Sequence, residues 1–203
     1  HDQHQAPSHD QHKAMTMIRR TTDATVEPVT LAEAKLHLRE TLVSTDNDTY
    51  IESLITAARL ACEEAIQRTL ITTTWTLTLD AFPDAIRLPY PQIIAVSSVS
   101  YIDEAGDTQT LDPQDYIVDT KSEPGFIVPA VDVTWPTTQD RINAVTVVYT
   151  AGYGASAASV PKTIKHWIKL AVSDLYDNRG LSADRTVPQD FARSLIDPYR
   201  VYG

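Results

Sequence analysis

A chain of 203 residues, 42% of them hydrophobic, is long enough to bury a sizeable core and reads as one domain with room for an inserted sub-domain. Its formal net charge of -10 argues against a surface made to coat nucleic acid, because phosphate contacts need clustered Lys and Arg, but does not exclude contact with DNA that slides past. The single cysteine, Cys62, excludes an internal disulfide and suits a reducing, cytosolic origin, and no apolar run reaches the roughly 20 residues of a helical membrane span.

The chain opens on a repeated motif, His1-Asp2-Gln3-His4 and His9-Asp10-Gln11-His12, which holds four of the six histidines. Histidine-rich tracts bind metal, but this one reads as an expression tag over residues 1–14, with the natural start at Met15 or Met17. The apolar stretch of a signal peptide is absent there. Residues 15–29 are expected to be extended and loosely held. Thr30-Leu31-Ala32-Glu33 is a capping box, and Leu31, Ala34, Leu38 and Leu42 follow at helical spacing, which predicts a helix over residues 30–43. After a polar break, Asp48 is the expected N-cap of a second helix over residues 48–68. Its apolar stripe is Ile51, Leu54, Ile55, Ala58, Ala61, Cys62, Ala65 and Ile66, with Cys62 as a small buried hydrophobe.

At Leu70 the period changes from 3.6 to two. Trp75, Leu77 and Leu79 alternate with Thr74, Thr76 and Thr78, as in a half-buried strand. Short β-rich runs continue to Thr150, punctuated by the turn signal Asp103-Glu104-Ala105-Gly106-Asp107, by Asp112-Pro113 and by Pro124-Gly125. They predict an antiparallel sheet or small barrel inserted over residues 70–150. Gly152 opens a loop expected to be flexible, and Pro161 starts a third helix over residues 161–179, with Gly180 as its C-cap. Residues 181–203 read as a C-terminal arm, with a short helix stopped at Pro198. The fold class is therefore α+β: a helical bundle with an inserted antiparallel β sub-domain and a protruding C-terminal arm.

Catalytic and metal signatures are missing. Gly152-Tyr153-Gly154 lacks the later glycine of a dinucleotide loop, and no Gly-Lys-Ser/Thr triplet follows. Asp46-Asn47-Asp48 resembles the start of a calcium loop, but Ile51 and Ala57 stand where it needs glycine and glutamate. His37 and His166 lie inside helices as surface or boundary residues without a second ligand in sequence reach. The three tryptophans and nine tyrosines could stack bases, but Arg87, Lys121 and Arg141 are the only cations between Leu70 and Thr150. Packing is the better use of those rings. No cofactor, no metal and no enzymatic activity are expected.

Several stretches resemble tailed-phage head–tail connector proteins, also called adaptors or head-completion proteins, of the variety with a β insertion between helices. They are Pro28-Val29-Thr30-Leu31-Ala32-Glu33-Ala34-Lys35, the run from Asp48 to Ala58, Leu70-Ile71-Thr72 leading to Trp75, and Leu111-Asp112-Pro113-Gln114-Asp115-Tyr116. Tyr149-Thr150-Ala151-Gly152-Tyr153-Gly154, the helix closing on Asp177-Asn178-Arg179, and Pro198-Tyr199-Arg200-Val201 complete the set. Their order and spacing across residues 28–201 carry the likeness more than any one of them.

The resemblance implies a ring of copies, typically a dodecamer, docked under the portal of a phage, prophage or gene transfer agent capsid. Such a ring extends the DNA channel, passes double-stranded DNA without specific binding, and offers a platform to stopper or tail-terminator proteins. The location implied is the head–tail junction of a virion, after synthesis in the host bacterial cytoplasm, with no membrane involved. The portal-binding residues it implies are Phe191, Leu195, Ile196, Tyr199 and Val201 of the arm. The isolated protein is expected to be monomeric, with residues 15–29, 152–160 and 181–203 rearranging on assembly. The rival readings are a nucleic-acid-binding module using the β insert and a hydrolase of unrecognised type.

Overall fold

The computed structural model describes residues 16–178 and 189–202. The tag over residues 1–14, the Gly180 cap and residues 181–187 of the arm fall outside that range.

The helices follow from their caps. In α1 (Leu31–Leu38) the Glu33 amide donates to Thr30 Oγ1 at 3.2 Å and the Thr30 amide donates to Glu33 Oε2 at 2.8 Å. This closes the capping box that the sequence predicts. The helix stops five residues before its expected end, because Arg39 turns left-handed with φ 60°. Buried Lys35 then gathers the following loop, bonding the Ser44 carbonyl and pairing with Asp48 at 2.6 Å. That pair corrects the role expected of Asp48: it is the first helical residue of α2 (Asp48–Ile66), Asn47 is the N-cap, and no side chain caps the turn.

On α2 the buried face includes Ile51, Leu54, Ile55, Ala58, Cys62 and Ile66, as the periodicity predicts, but also Arg59 and Glu63. Ala61, assigned to the apolar stripe, is exposed. The cause lies in the N-terminal segment. Far from loose, it forms strand β1 (Met17–Thr22) and crosses α2, so that side of the helix is covered by charge rather than by another helix.

Strands β2 (Thr73–Leu79), β3 (Ile86–Leu88), β4 (Ile93–Ile102), β5 (Thr108–Thr110), β6 (Tyr116–Asp119), β7 (Gly125–Pro129) and β8 (Val145–Ala151) pair only antiparallel. One sheet has the order β1-β2-β8-β4-β5 and the other β3-β7-β6. Both β2 and β8 alternate buried and half-buried residues along their whole length, the two-residue period of the sequence. The two sheets close on a shared core that includes Trp75, Leu77, Ile86, Val99, Ile127 and Val147.

A second core belongs to the helices. It joins Ile51, Ile55 and Ile66 of α2 to Ile164, Ile168 and Val172 of α3 (Lys162–Asp177). Each fully buried Ile or Leu stabilises the fold by about 1.5–3 kcal/mol. The loop entering α3 is pinned, not free: Gly152 N–H donates to Gln92 O, Tyr153 N–H to Leu70 O, and Thr72 N–H to Gly154 O. At Gly152, with φ 137°, a Cβ would stand 2.7 Å from the Thr72 nitrogen, so only glycine fits.

Candidate functional site

The C-terminal segment consists of α4 (Gln189–Ile196) and a 3-10 turn, Asp197–Tyr199. The five residues assigned to partner binding are not equivalent. Ile196 is 1% exposed and belongs to the helical core, while Leu195 and Tyr199 pack against that core half-buried. The Val201 amide donates to the Ile66 carbonyl at 3.0 Å, at the end of α2. Phe191 alone faces outward, 54% exposed. The segment therefore lies folded back on the body where a protruding arm was expected. The physical reason is that α2 and α3 leave an apolar seat at their contact, and Ile196 removes it from water.

Around this seat the structure places residues that sequence reasoning missed. Arg68 donates through Nε to the Tyr199 carbonyl at 2.9 Å and through both Nη atoms to Glu123 at 2.6 Å each. Its guanidinium also lies 5.8 Å over the Tyr153 ring. The hydrogen bonds from Arg68 hold the Glu123 carboxyl below the ordinary carboxylate range. Burial pushes the Tyr153 hydroxyl up to about 12. The Tyr199 hydroxyl shares a 2.9 Å hydrogen bond with Thr163 Oγ1 of α3. No local signal in the sequence marks Arg68, since Glu123 and Tyr199 stand 55 and 131 residues away from it.

The N-terminal segment is fastened by charge. Arg59, 1% exposed, bonds Glu27 at 2.8 Å, Glu63 at 3.2 Å and Asp23 at 3.3 Å. Arg20 reaches the same Glu63 at 2.6 Å and lies 5.1 Å over the Trp75 ring. Glu63 in turn accepts the Leu70 amide at 2.8 Å. The network thus joins the first strand, the long helix and the start of the β insert.

Among the described residues, a groove of about 480 Å³ is lined mainly by apolar residues such as Val26, Val29, Leu31 and Ile55. Its Glu27 is already committed to Arg59 and Thr56. Among the described residues no three His, Cys, Asp or Glu side chains gather as metal ligands. His37 and His166, far apart in sequence, approach to 6.3 Å between ring centroids. Burial pushes the buried Cys62 thiol up to about 12, which makes it inert as a nucleophile.

The fold and the seat define a class: a two-core α+β body with an end segment docked on its helices. Among solved structures, it is similar over 92% of its length to a chain from the neck of an empty gene transfer agent (GTA) particle computed with C6 symmetry, with 23% identity, 96% coverage of that chain and a TM-score of 0.78. A chain from the virion of a native GTA particle matches at TM-score 0.77 and 22% identity, and one from the neck of a native GTA particle computed with C12 symmetry at 0.73 and 22%. Both likewise cover 92% of this chain and 96% of their own. The chain shares the fold of these particle components. No protein-family model matches it, and no curated protein matches it in sequence.

Proposed function

We propose that this protein is a structural connector at the neck of a tailed-phage-like particle, a ring of copies between the portal and the stopper or tail-terminator proteins. The observation that carries this is fold likeness over nearly the whole of both chains to a neck component of a particle solved with ring symmetry. The acidic balance of the chain suits a passage through which DNA slides without being gripped. The protein works by shape and carries no catalytic step.

In this proposal the C-terminal segment makes the portal contact. Phe191 is already exposed for it, and Leu195, Ile196, Tyr199 and Val201 become available when the segment leaves its seat. Deleting residues 188–203 tests this only crudely, since it uncovers the seat of Ile196. Phe191→Asp is cleaner, because it changes an exposed side chain. Particles carrying Phe191→Asp should lack an attached neck by electron microscopy, while the purified variant keeps its melting temperature. Necks of normal occupancy would remove the segment from the portal contact.

A further inference from the structure

Charge is sorted along this molecule. From Ile142 to Ser173 the chain contains no Asp or Glu, and within that stretch α3 carries Lys162, Lys165, His166 and Lys169. Lys162, His166 and Lys169, spaced by three and four residues, share one face of the helix away from the buried Ile164 and Ile168, and Lys165 flanks that face beside Val172. Lys162 and His166 are exposed, and Lys165 and Lys169 are half-exposed. His37 joins them from α1, its ring 6.3 Å from that of His166. Burial first, then Lys169 and His166, push the His37 pKa down, as expected where cations converge. Among the described residues, one carboxylate answers them at contact distance, Glu33 at 3.2 Å from Lys165.

The opposite sign collects at the other end. No Lys or Arg occurs between Arg87 and Lys121, and the β4–β5 hairpin presents Asp103, Glu104 and Asp107. Asp103 is held ionised by hydrogen bonds from Gln109 and the turn amides. Asp80 and Asp140 lie at the same end of the sheet, opposed there by Arg141. Strand β4 runs beside β8 from Ile93, opposite Ala151, to Tyr101, opposite Val145. Ala151 is the end that leads into α3, so the hairpin stands about 30 Å away, at ~3.3 Å per residue. That exceeds the Debye length of about 10 Å, so neither patch neutralises the other within one molecule.

We propose that the basic face of α3 docks the acidic hairpin end of a neighbouring copy of this chain. The inference rests on the ring reading above and names the surfaces that would join its copies. A contact between identical patches would set like charge against like, whereas a head-to-tail contact pairs opposite ones, and only the latter generates rings.

The test uses the full chain with two variants, Lys162→Glu/Lys169→Glu and Glu104→Lys/Asp107→Lys. Circular dichroism checks that each is folded. Because the isolated chain is expected to be monomeric when dilute, mass-labelled and unlabelled copies are mixed at low ionic strength and high concentration, where a weak charge contact is populated, and joined with a zero-length carbodiimide cross-linker. Mixed-label peptides should connect Lys162 or Lys169 to Glu104 or Asp107, and added salt should suppress them. Each variant alone should associate at least about tenfold more weakly by sedimentation velocity, and mixing the two variants should restore association. Absence of mixed-label cross-links in the wild type overturns the proposal. So does a gel shift of duplex DNA lost in Lys162→Glu/Lys169→Glu while association between copies is unchanged. Rings that form equally well in both variants overturn the contact but leave the ring standing; charge-dependent open chains keep the contact and count against the ring.

Discussion

The two chain ends reach the same helical body by different chemistry. Residues 17–27 are held by a strand ladder to β2 and by ion pairs around Arg59, whose side chain and that of Glu63 are 1% and 3% exposed. Residues 189–202 are held by Ile196 in an apolar seat, one backbone bond from Val201 and the Arg68 clamp. Buried charges cannot be separated one at a time without stranding a partner, so the first end is a fixed part of the fold. An apolar seat can be exchanged for another apolar surface at little net change in burial. That is what a segment moving to a partner needs.

The largest effect should come from breaking the fixed end. Arg59→Met leaves Glu27 without a guanidinium and Asp23 and Glu63 with Arg20 as their one remaining cation, and should cost about 3–5 kcal/mol, read as a lower denaturant midpoint. A near-native midpoint would erase the contrast between the ends. Ile196→Ala should cost about 2–3 kcal/mol, but locally. Amide exchange should accelerate at Val201 while the β2–β8 ladder keeps its protection. If the ladder loosens too, the segment is part of the cooperative body.

Acid sharpens the comparison further. The folded Glu123 carboxyl lies below its ordinary value of 4.5, so the clamp contributes above that pH and is lost as pH falls through the lowered value. With Glu123 37% exposed, screening keeps the effect at about 1 kcal/mol or less. Glu123→Gln should remove this acid step in Val201 exchange. The smallest effect belongs to the shared body. Burial, then Lys169 and His166, hold the His37 pKa below 6.5, so the fold disfavours its charged form. Stability should be full above 6.5 and fall as pH drops from there through the lowered value. His37→Gln should flatten that slope in thermal melts taken across the window.

Local chemistry was legible along the chain. The capping box at Thr30, the alternation from Thr73 to Leu79 and the apolar period of α3 each use neighbours within four residues. Arg59 and Glu63 defeated the same reasoning, because what covers them is the N-terminal segment, some 30 to 40 residues earlier in the chain. Of the candidate site, the arm's apolar character could be read, but not that Ile196 would be sealed while Phe191 stayed outside. Both look alike on an amphipathic helix, and only the shape of the α2–α3 contact separates them.

The sequence by itself determined the class of fold, the types of the elements after residue 30 and the sorting of charge, because these depend on periodicity, capping and composition. Tertiary structure alone decided which charges are buried, how the chain ends attach and where the basic and acidic patches stand relative to each other. Those outcomes depend on contacts between distant residues, whose partners are chosen by packing geometry and not by any pattern local to the chain.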